Sequence, residues 1–352
     1  APKGVSWFII EKGTKGLTVD KHEDKHGIRL SDTCPINMQD VYVPIENLFG
    51  GVEGKGLRQA QAVFGYTRLM VAAMALGTGW KAIEHAVRYS QQRNVGGQPL
   101  CTKQGMTHKL LVPFAARLEA ARAFVEEVAR RIDSGEEGLQ TEGAIAKLLA
   151  SETADTACNN AIQAYGGNGY VREFPVEKLK RDIKITCIYE GTSEILQLTT
   201  FRERWQANIN AEGKYYDRLA EELDALHAKG PSVGADAAAV ALRSLSQVLK
   251  ACYDQKLTAN QLAHTKLGEL MTYAESAGAF CRAAAKAEKP ESVIFSHEAW
   301  RKMARIHASY SAGFVSSEGL ALVAGLGDAS MLALDFKKVA AERVGELRGA
   351  AS

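Results

Sequence analysis

The chain has 352 residues, of which 46% are hydrophobic and 24% charged, a range typical of globular proteins with more than one core. Lysine and arginine number 43 against 41 acidic residues, and their even spread argues against a nucleic-acid partner or an anionic membrane surface. The six cysteines form no Cys-x-x-Cys pair, so neither a metal site nor a disulfide framework is expected, and a reducing compartment is inferred. No apolar run approaches the roughly 20 residues that a membrane-spanning helix needs.

The N-terminal residues and the segment after them differ in pattern. Residues 5–10 and 41–43 alternate apolar and polar side chains between glycine and proline breaks, which predicts strands and the tail of a β domain. From Gly56 the apolar spacing becomes helical, with Leu69, Leu76 and Trp80 on one face. Four helices are predicted, at about 56–91, 103–133, 141–164 and 192–207, and they favour a four-helix bundle.

Beyond Gly213 the chain is rich in alanine and carries no motif that indicates chemistry. Leu219 and Leu223 mark one amphipathic helix, two further helices follow, and a long final stretch begins at Ser296. No basic face lies beside a broad apolar one, so a structural role is favoured over membrane apposition. The chain is therefore predicted to be mainly α, with domains at 1–52 (tail of a β domain), 53–210 (helical bundle) and 211–352 (an additional helical domain).

A turn with three glycines, Gly166, Gly167 and Gly169, follows the third predicted helix. Because glycine has no Cβ, such a turn lets backbone N–H groups approach an anionic ligand closely. A plain turn without a ligand is the alternative interpretation.

Glu190 stands between Tyr189 and Gly191, just before the fourth predicted helix. Thr192 and Ser193 are suited to cap the free backbone donors of that helix. A carboxylate held there is a candidate proton acceptor, and a capping group or dipole partner is the alternative.

The order of these motifs resembles the acyl-CoA dehydrogenase family from about Gly4 to about Trp205. The resemblance rests on Gln163-Ala-Tyr-Gly-Gly-Asn-Gly-Tyr170, Arg181-Asp182 and Ile188-Tyr-Glu-Gly-Thr-Ser-Glu-Ile195. It implies a bundle of acyl-CoA dehydrogenase type, FAD as cofactor, and conversion of an acyl-CoA to a trans-2-enoyl-CoA, as in fatty acid β-oxidation. Electrons would pass to electron-transferring flavoprotein, and the protein would be a homodimer or larger homo-oligomer. The C-terminal addition resembles that of very-long-chain-type and several bacterial members, where it covers a surface that tetrameric members use for assembly.

Glu190 matches the family's α-proton base. Other branches carry the base on an earlier helix, where this sequence has Thr67 before Arg68, so Glu190 is the only candidate in either position. The resemblance assigns Arg68, Tyr189 and Gly191 to the substrate. A surface arginine and a packed core tyrosine are the alternatives for Arg68 and Tyr189.

The resemblance also places flavin contacts at two sets of positions. Thr192 and Glu194 match contacts of the flavin, although Glu194 stands where the family has Gln or Asp. The other set matches contacts to the diphosphate and ADP portions, with Arg93 reaching the flavin of a neighbouring subunit: Arg93, Gln104, Gln163, Gly166 and Gly167. Arginine suits a diphosphate because its planar fork donates two hydrogen bonds. Gly96 stands where the family has phenylalanine, so a packing contact is absent.

Family segments that hold the isoalloxazine ring have no counterpart in this sequence. The chain is therefore expected to be truncated, or to be completed by another polypeptide. An acyl-CoA oxidase and a catalytically silent assembly subunit are the rival functions. A bacterial cytoplasm is the expected location, and the mitochondrial matrix is the alternative.

Overall fold

Helices account for most of the residues that the structure, a computed structural model, describes, which are residues 4–326. The prediction of a mainly helical chain that begins with a small β portion is confirmed. Residues 327–352, the end of the third predicted domain, lie outside the described residues. Between residues 4 and 326, no helix is both long enough and apolar enough to cross a membrane.

The β portion is smaller than the alternation of side chains predicts. β1 (Leu17–Val19) and β2 (Ile36–Met38) pair antiparallel, whereas residues 5–10 contribute only a bridge between Phe8 and Leu48. Residues 41–43 form no strand, so the strand predictions for both segments are wrong. Alternation describes only the two faces of a segment, and a strand forms only where a partner offers unpaired backbone groups.

The described residues contain ten α-helices, and the four predicted helices lie within a few residues of observed ones. The second differs most, because a π-helical turn (Thr107–Leu111) separates α2 from α3. A proline in the first turn of α3 favours a new helix start there. Proline has no backbone N–H, so it cannot donate the hydrogen bond that would continue the preceding helix. The helices are α1 (Gly56–Gln92), α2 (Gln104–Met106), α3 (Val112–Asp133), α4 (Gln140–Tyr165), α5 (Val176–Ile183), α6 (Ser193–Asn210), α7 (Tyr215–Lys229), α8 (Ala235–Asp254), α9 (Gln261–Ala284) and α10 (His297–Leu326), with a hairpin of β3 (Asn94–Val95) and β4 (Gln98–Pro99) after α1.

The bundle is organised around α1 and α4, which pack against each other along most of their length. Small residues let the two backbones approach closely. A Cβ on Gly143 of α4 would lie 2.6 Å from the carbonyl oxygen of Gly65 on α1. Further along, a Cβ on Gly79 would lie 2.9 Å from the Cβ of Ala154. These contacts advance in the same direction along the two helices, so α1 and α4 are parallel and their register is fixed.

Helices α7 to α10 form an extension that packs directly on the bundle. Ala120 of α3 and Phe201 of α6 belong to the same apolar core as Phe280 of α9 and Trp300 of α10. The Trp300 indole N–H donates to the carboxylate of Glu119 on α3 at 2.8 Å, so the one polar atom of this buried ring is paired. The exact division of the chain into three domains stays a prediction.

A buried charge network crosses the contact between bundle and extension. Arg204 of α6 donates to Glu275 of α9 at 2.8 Å and to Glu142 of α4 at 3.0 Å. The hydroxyl of Tyr216 on α7 also donates to Glu275, at 3.0 Å. Burial alone would lower the pKa of Arg204, but the two carboxylates outweigh that effect and raise it. The network therefore ties α6 to three other helices.

We expect the substitution Glu275→Ala to lower the free energy of unfolding by about 3 kcal/mol, because a buried guanidinium loses its main carboxylate partner. The measurement is urea denaturation followed by circular dichroism. The matched control is Glu203→Ala, which removes a carboxylate paired with Arg202 at the surface of α6 and should change stability by less than about 1 kcal/mol. Equal losses at Glu275 and Glu203 would contradict the buried role.

Candidate active site

Glu190 lies in a short loop between a 3₁₀ turn (Lys184–Cys187) and α6. Its φ is +57°, and Gly191 follows with a φ of +98°. The left-handed region costs a residue with a Cβ roughly 1–2 kcal/mol, so surrounding contacts must hold Glu190 there. Gly191 suits its position, since a Cβ there would lie 3.1 Å from Leu196 besides carrying the same strain.

Two consecutive residues of α1 hold Glu190. Thr67 Oγ1 donates to Glu190 Oε2 at 2.8 Å, and Arg68 Nε donates to the Glu190 carbonyl oxygen at 3.2 Å. Burial lowers the pKa of Arg68, and the negative charge of Glu190 partly offsets this. Arg68 is thus buried beside Glu190 and is not a surface arginine. Thr67, noted in the sequence only for lacking a carboxylate, is a direct partner of the candidate base.

Lys147 of α4 belongs to the same cluster and was missed by the sequence interpretation. Its side chain is fully buried, and Nζ donates to the Gly191 carbonyl oxygen at 2.8 Å. Burial lowers the pKa of this amine to about 8. The sequence signal was a lysine inside the otherwise apolar run Ala144-Ile-Ala-Lys-Leu-Leu-Ala150, because a lysine is almost never fully buried unless a partner holds it.

Tyr189 is half-buried, and its hydroxyl makes no hydrogen bond within the described residues. Burial, together with the Glu190 carboxylate, raises the pKa of this phenol, so it stays protonated and available as a donor. Its predicted role beside the acyl group stays a prediction.

Of the two residues predicted to cap α6, Thr192 does so and Ser193 does not. Thr192 is the N-cap residue, and its hydroxyl accepts a hydrogen bond from the Ile195 N–H at 3.4 Å. Ser193 donates instead to Glu152 of α4. Glu194 is exposed, and hydrogen bonds from its own backbone N–H and from Thr192 lower the pKa of its carboxyl. The carboxylate is favourably placed there, because the N-terminus of a helix stabilises negative charge.

The three-glycine segment forms a 3₁₀ turn, Gly166–Tyr170, at the end of α4. Gly166 has a φ of +61°, which lets the helix stop. Asn168 then donates to the hydroxyl of Tyr89 on α1 at 3.1 Å. Gln163 is exposed in the last turn of α4. The turn is therefore fixed against the C-terminal part of α1.

The three glycines of this turn have different reasons to be glycine. A Cβ on Gly169 would lie 2.4 Å from the carbonyl oxygen of Ile162, so packing within the chain excludes a side chain there. A Cβ on Gly166 or Gly167 would meet no described atom within 4 Å. Only these two glycines leave an open backbone surface that a ligand can approach.

Arg93 and Gln104 flank the β3–β4 hairpin at the far end of α1, and both side chains are exposed. The Arg93 carbonyl accepts a hydrogen bond from the Leu100 N–H at 2.7 Å, which closes the hairpin. Gly96 and Gly97 form its turn with φ values of +61° and +80°. Two-residue hairpin turns of this kind need positive φ at both positions, which explains why glycine replaces the expected phenylalanine.

The predicted site residues form two separate groups. Arg68 lies within α1 and Arg93 is the residue that follows its last turn, roughly 25 residues or about 37 Å away at 1.5 Å per residue. Tyr89 stacks on Tyr165 with ring centroids 4.0 Å apart, so the glycine turn lies at the Arg93 end of α1. A single chain therefore does not bring the Arg93 group to Glu190.

Comparison with known proteins supports the resemblance seen in the motifs. Residues 54–205 match the family described as acyl-CoA dehydrogenase, C-terminal domain. The short-chain specific acyl-CoA dehydrogenase of Megasphaera elsdenii is 43% identical over 197 residues, which are 56% of this chain and 51% of that protein. This chain spans about half the length of the relatives that it matches.

Solved structures agree with the sequence match. A chain in a structure titled as the electron transferring flavoprotein of Acidaminococcus fermentans is 37% identical, with a TM-score of 0.54, over 57% of this chain and 52% of its own. An acyl-CoA dehydrogenase of Bacillus anthracis complexed with FAD has a TM-score of 0.79 over 95% of this chain and 61% of its own. At 21% identity, that likeness shows the fold alone. Because this likeness extends over 95% of the chain, the shared fold includes helices α7 to α10.

Motif order, sequence match and fold define one class of protein, a helical bundle of acyl-CoA dehydrogenase type followed by further helices. Residues 54–205 are identified as the C-terminal domain of the acyl-CoA dehydrogenase family. The roles of the individual site residues stay predictions.

We expect Gly169→Ala to lower the free energy of unfolding by more than about 1 kcal/mol, because the added methyl group overlaps the Ile162 carbonyl and the α4 terminus must shift. The measurement is thermal or urea unfolding. Gly167→Ala is the matched control and should stay within about 0.5 kcal/mol of wild type, since its Cβ has open space. Equal effects of the two substitutions would contradict the packing role of Gly169.

Proposed function

We propose that this protein is an FAD-dependent acyl-CoA dehydrogenase that converts an acyl-CoA thioester to a trans-2-enoyl-CoA. The observation that carries the proposal is the geometry of Glu190, a carboxylate in a left-handed loop that side chains of α1 and α4 hold from two directions. A fixed carboxylate beside an open loop suits removal of a proton from carbon.

Glu190 is proposed to remove the proton α to the thioester carbonyl. Thr67 donates to Oε2, and Oε1 makes no hydrogen bond within the described part of the chain, so Oε1 is free to take the proton. The charge that develops on the thioester oxygen needs N–H donors in a site shielded from water. The Glu190 N–H, which has no acceptor among residues 4–326, is the proposed donor, and Tyr189 and Gly191 flank the acyl group.

The residues of this chain fit FAD at two places. Gly166 and Gly167 expose backbone that a diphosphate or ADP moiety can approach, and Arg93 offers an exposed guanidinium. Thr192 and Glu194 lie at the N-terminus of α6, beside Glu190. When bound, FAD supplies the acceptor for the hydride that leaves the β-carbon. The substrate residues Arg68, Tyr189 and Gly191 would then hold the thioester between the base and that acceptor.

The separation of the two groups along α1 supports a site shared between subunits. Thr192 and Glu194 are proposed to hold the flavin that reacts beside Glu190 of the same chain. The Arg93 group lies about 37 Å further along α1, and we propose that it binds the flavin of a second copy. That group comprises Arg93, Gln104, Gln163, Gly166 and Gly167. The functional unit is then a homodimer or a larger homo-oligomer.

Electron-transferring flavoprotein is the proposed acceptor of the electrons. Formation of hydrogen peroxide in air without an added acceptor would instead indicate an acyl-CoA oxidase. A purified protein that folds without any flavin would indicate a catalytically silent assembly subunit. The hydrogen bond between Thr67 and Glu190 favours an active enzyme, because an idle subunit has no need of a strained, oriented carboxylate.

We expect Glu190→Gln in the FAD-loaded protein to retain flavin and acyl-CoA but to slow flavin reduction by about 10² to 10⁴-fold, because the amide cannot accept the α-proton. Anaerobic stopped-flow absorbance measures the reduction. Glu203→Gln, an exposed change on α6, is the control and should react like wild type. A Glu190→Gln protein within threefold of wild type would refute the assignment of the base.

We expect Arg93→Ala to weaken both flavin retention and dimerisation, since the guanidinium is proposed to bind the diphosphate of the other subunit's FAD. Size-exclusion chromatography with absorbance at the flavin band measures both properties on one sample. Arg88→Ala is the matched control, because Arg88 is an exposed arginine of α1 that pairs with Glu84 of the same helix. A flavin-loaded monomer at high dilution would contradict the shared site.

A further inference from the structure

Two cations from two helices hold the two consecutive carbonyl groups of the loop that carries Glu190. Arg68 of α1 donates to the carbonyl of Glu190 at 3.2 Å, and Lys147 of α4 donates to the carbonyl of Gly191 at 2.8 Å. Both side chains are buried. Neither forms an ion pair with a carboxylate among the described residues, so these carbonyls are the main acceptors that each cation has.

The carbonyl directions fix the N–H directions as well. The peptide bonds of the described residues are trans, and a trans peptide places its C=O and N–H on opposite sides. The Gly191 N–H therefore points away from Arg68, and the Thr192 N–H points away from Lys147. Neither N–H has a backbone acceptor between residues 4 and 326. The two cations thus fix the directions of these N–H groups, which point away from the cations.

Burying a lysine to donate one hydrogen bond to a carbonyl group is unfavourable in free energy. Removing an ammonium group from water costs several kcal/mol, and the pKa of Lys147, lowered by burial to about 8, reflects that cost. An apolar side chain of similar size would pack at this position of α4 without it. The lysine is useful there only if the position of the Gly191 carbonyl matters.

We propose that Lys147 is a positioning residue for proton abstraction by Glu190. Lys147 fixes the Gly191–Thr192 peptide and Arg68 fixes the Glu190–Gly191 peptide, so the two successive peptides that follow Glu190 are both held. The left-handed conformation of Glu190 is then the one in which its carboxylate meets Thr67. This inference rests on the proposed role of Glu190 as the base. It concerns how the carboxylate is placed, and Lys147 itself does not touch the substrate.

The test uses acetyl-CoA, which has α-protons but no β-carbon and so cannot lose a hydride. In D₂O the base removes an α-proton, the electron pair moves into the thioester enolate, and a deuteron returns to the α-carbon. NMR follows this exchange in the FAD-loaded protein without any redox step. The affinity for acetyl-CoA, measured by perturbation of the flavin absorbance, separates binding from proton transfer.

In Lys147→Met the side chain keeps its length but loses the donor. We expect exchange to slow by about tenfold to a hundredfold, because a displacement of about 1 Å has that effect on a positioned group. The affinity for acetyl-CoA and the FAD content should stay within about twofold. Lys147→Arg keeps a cationic donor and should restore most of the rate. Lys266→Met is the matched control, because Lys266 of α9 pairs with Glu318 in the extension and should leave exchange unchanged.

Exchange within twofold of wild type in Lys147→Met would overturn the inference, as would equal losses in Lys147→Met and Lys147→Arg. If Lys147→Met does not yield FAD-loaded protein, Lys147→Gln, whose shorter side chain falls short of Gly191, is judged by the same criterion. Glu190→Gln distinguishes the two levels of the argument. If Glu190→Gln exchanges normally, the proposed function fails. If Glu190→Gln abolishes exchange while Lys147→Met still exchanges within twofold of wild type, only the positioning role of Lys147 fails.

Discussion

The close approach of α1 to α4 is the constraint on which the candidate site depends. Gly143 has no room for a Cβ, since that atom would lie 2.6 Å from the Gly65 carbonyl oxygen. Thr67 and Arg68 lie within one turn of Gly65, and Lys147 lies one turn from Gly143, so the crossing brings them to one loop from two sides. A larger residue at the crossing would separate the helices and with them the two cations that hold adjacent carbonyls.

The loop and the cations stabilise each other. A left-handed glutamate is strained, and a buried ammonium or guanidinium without an acceptor is strongly unfavourable. Here each offsets the other, because the strained backbone presents the carbonyls of Glu190 and Gly191 to Arg68 and Lys147. The result is a carboxylate whose position is set before any ligand binds. Such preorganisation is what proton abstraction from carbon requires, since little rearrangement is then left for the reaction itself.

The extension helices reach the site through α6. The Glu190 loop leads directly into α6, and Arg204 on that helix is paired with Glu275 of α9 inside the protein. Gly268 of α9 also lies so close to α6 that a Cβ there would be 2.0 Å from the Gln197 carbonyl oxygen. Helix α6 is therefore held between bundle and extension. The extension accordingly contributes to the rigidity of the helix that begins beside the base, in addition to covering apolar surface of the bundle.

The sequence by itself determined the helical bundle, the family and the local order around Glu190, because periodicity, capping by Thr192 and a motif of neighbouring residues are all short-range signals. It failed for the strands at residues 5–10 and 41–43, because strand formation depends on distant partners. Only the tertiary structure showed that Thr67 meets Glu190 across 123 positions of sequence, or that Lys147 is buried beneath the loop. Which residues meet is decided by helix packing, and packing brings together positions that no local pattern connects.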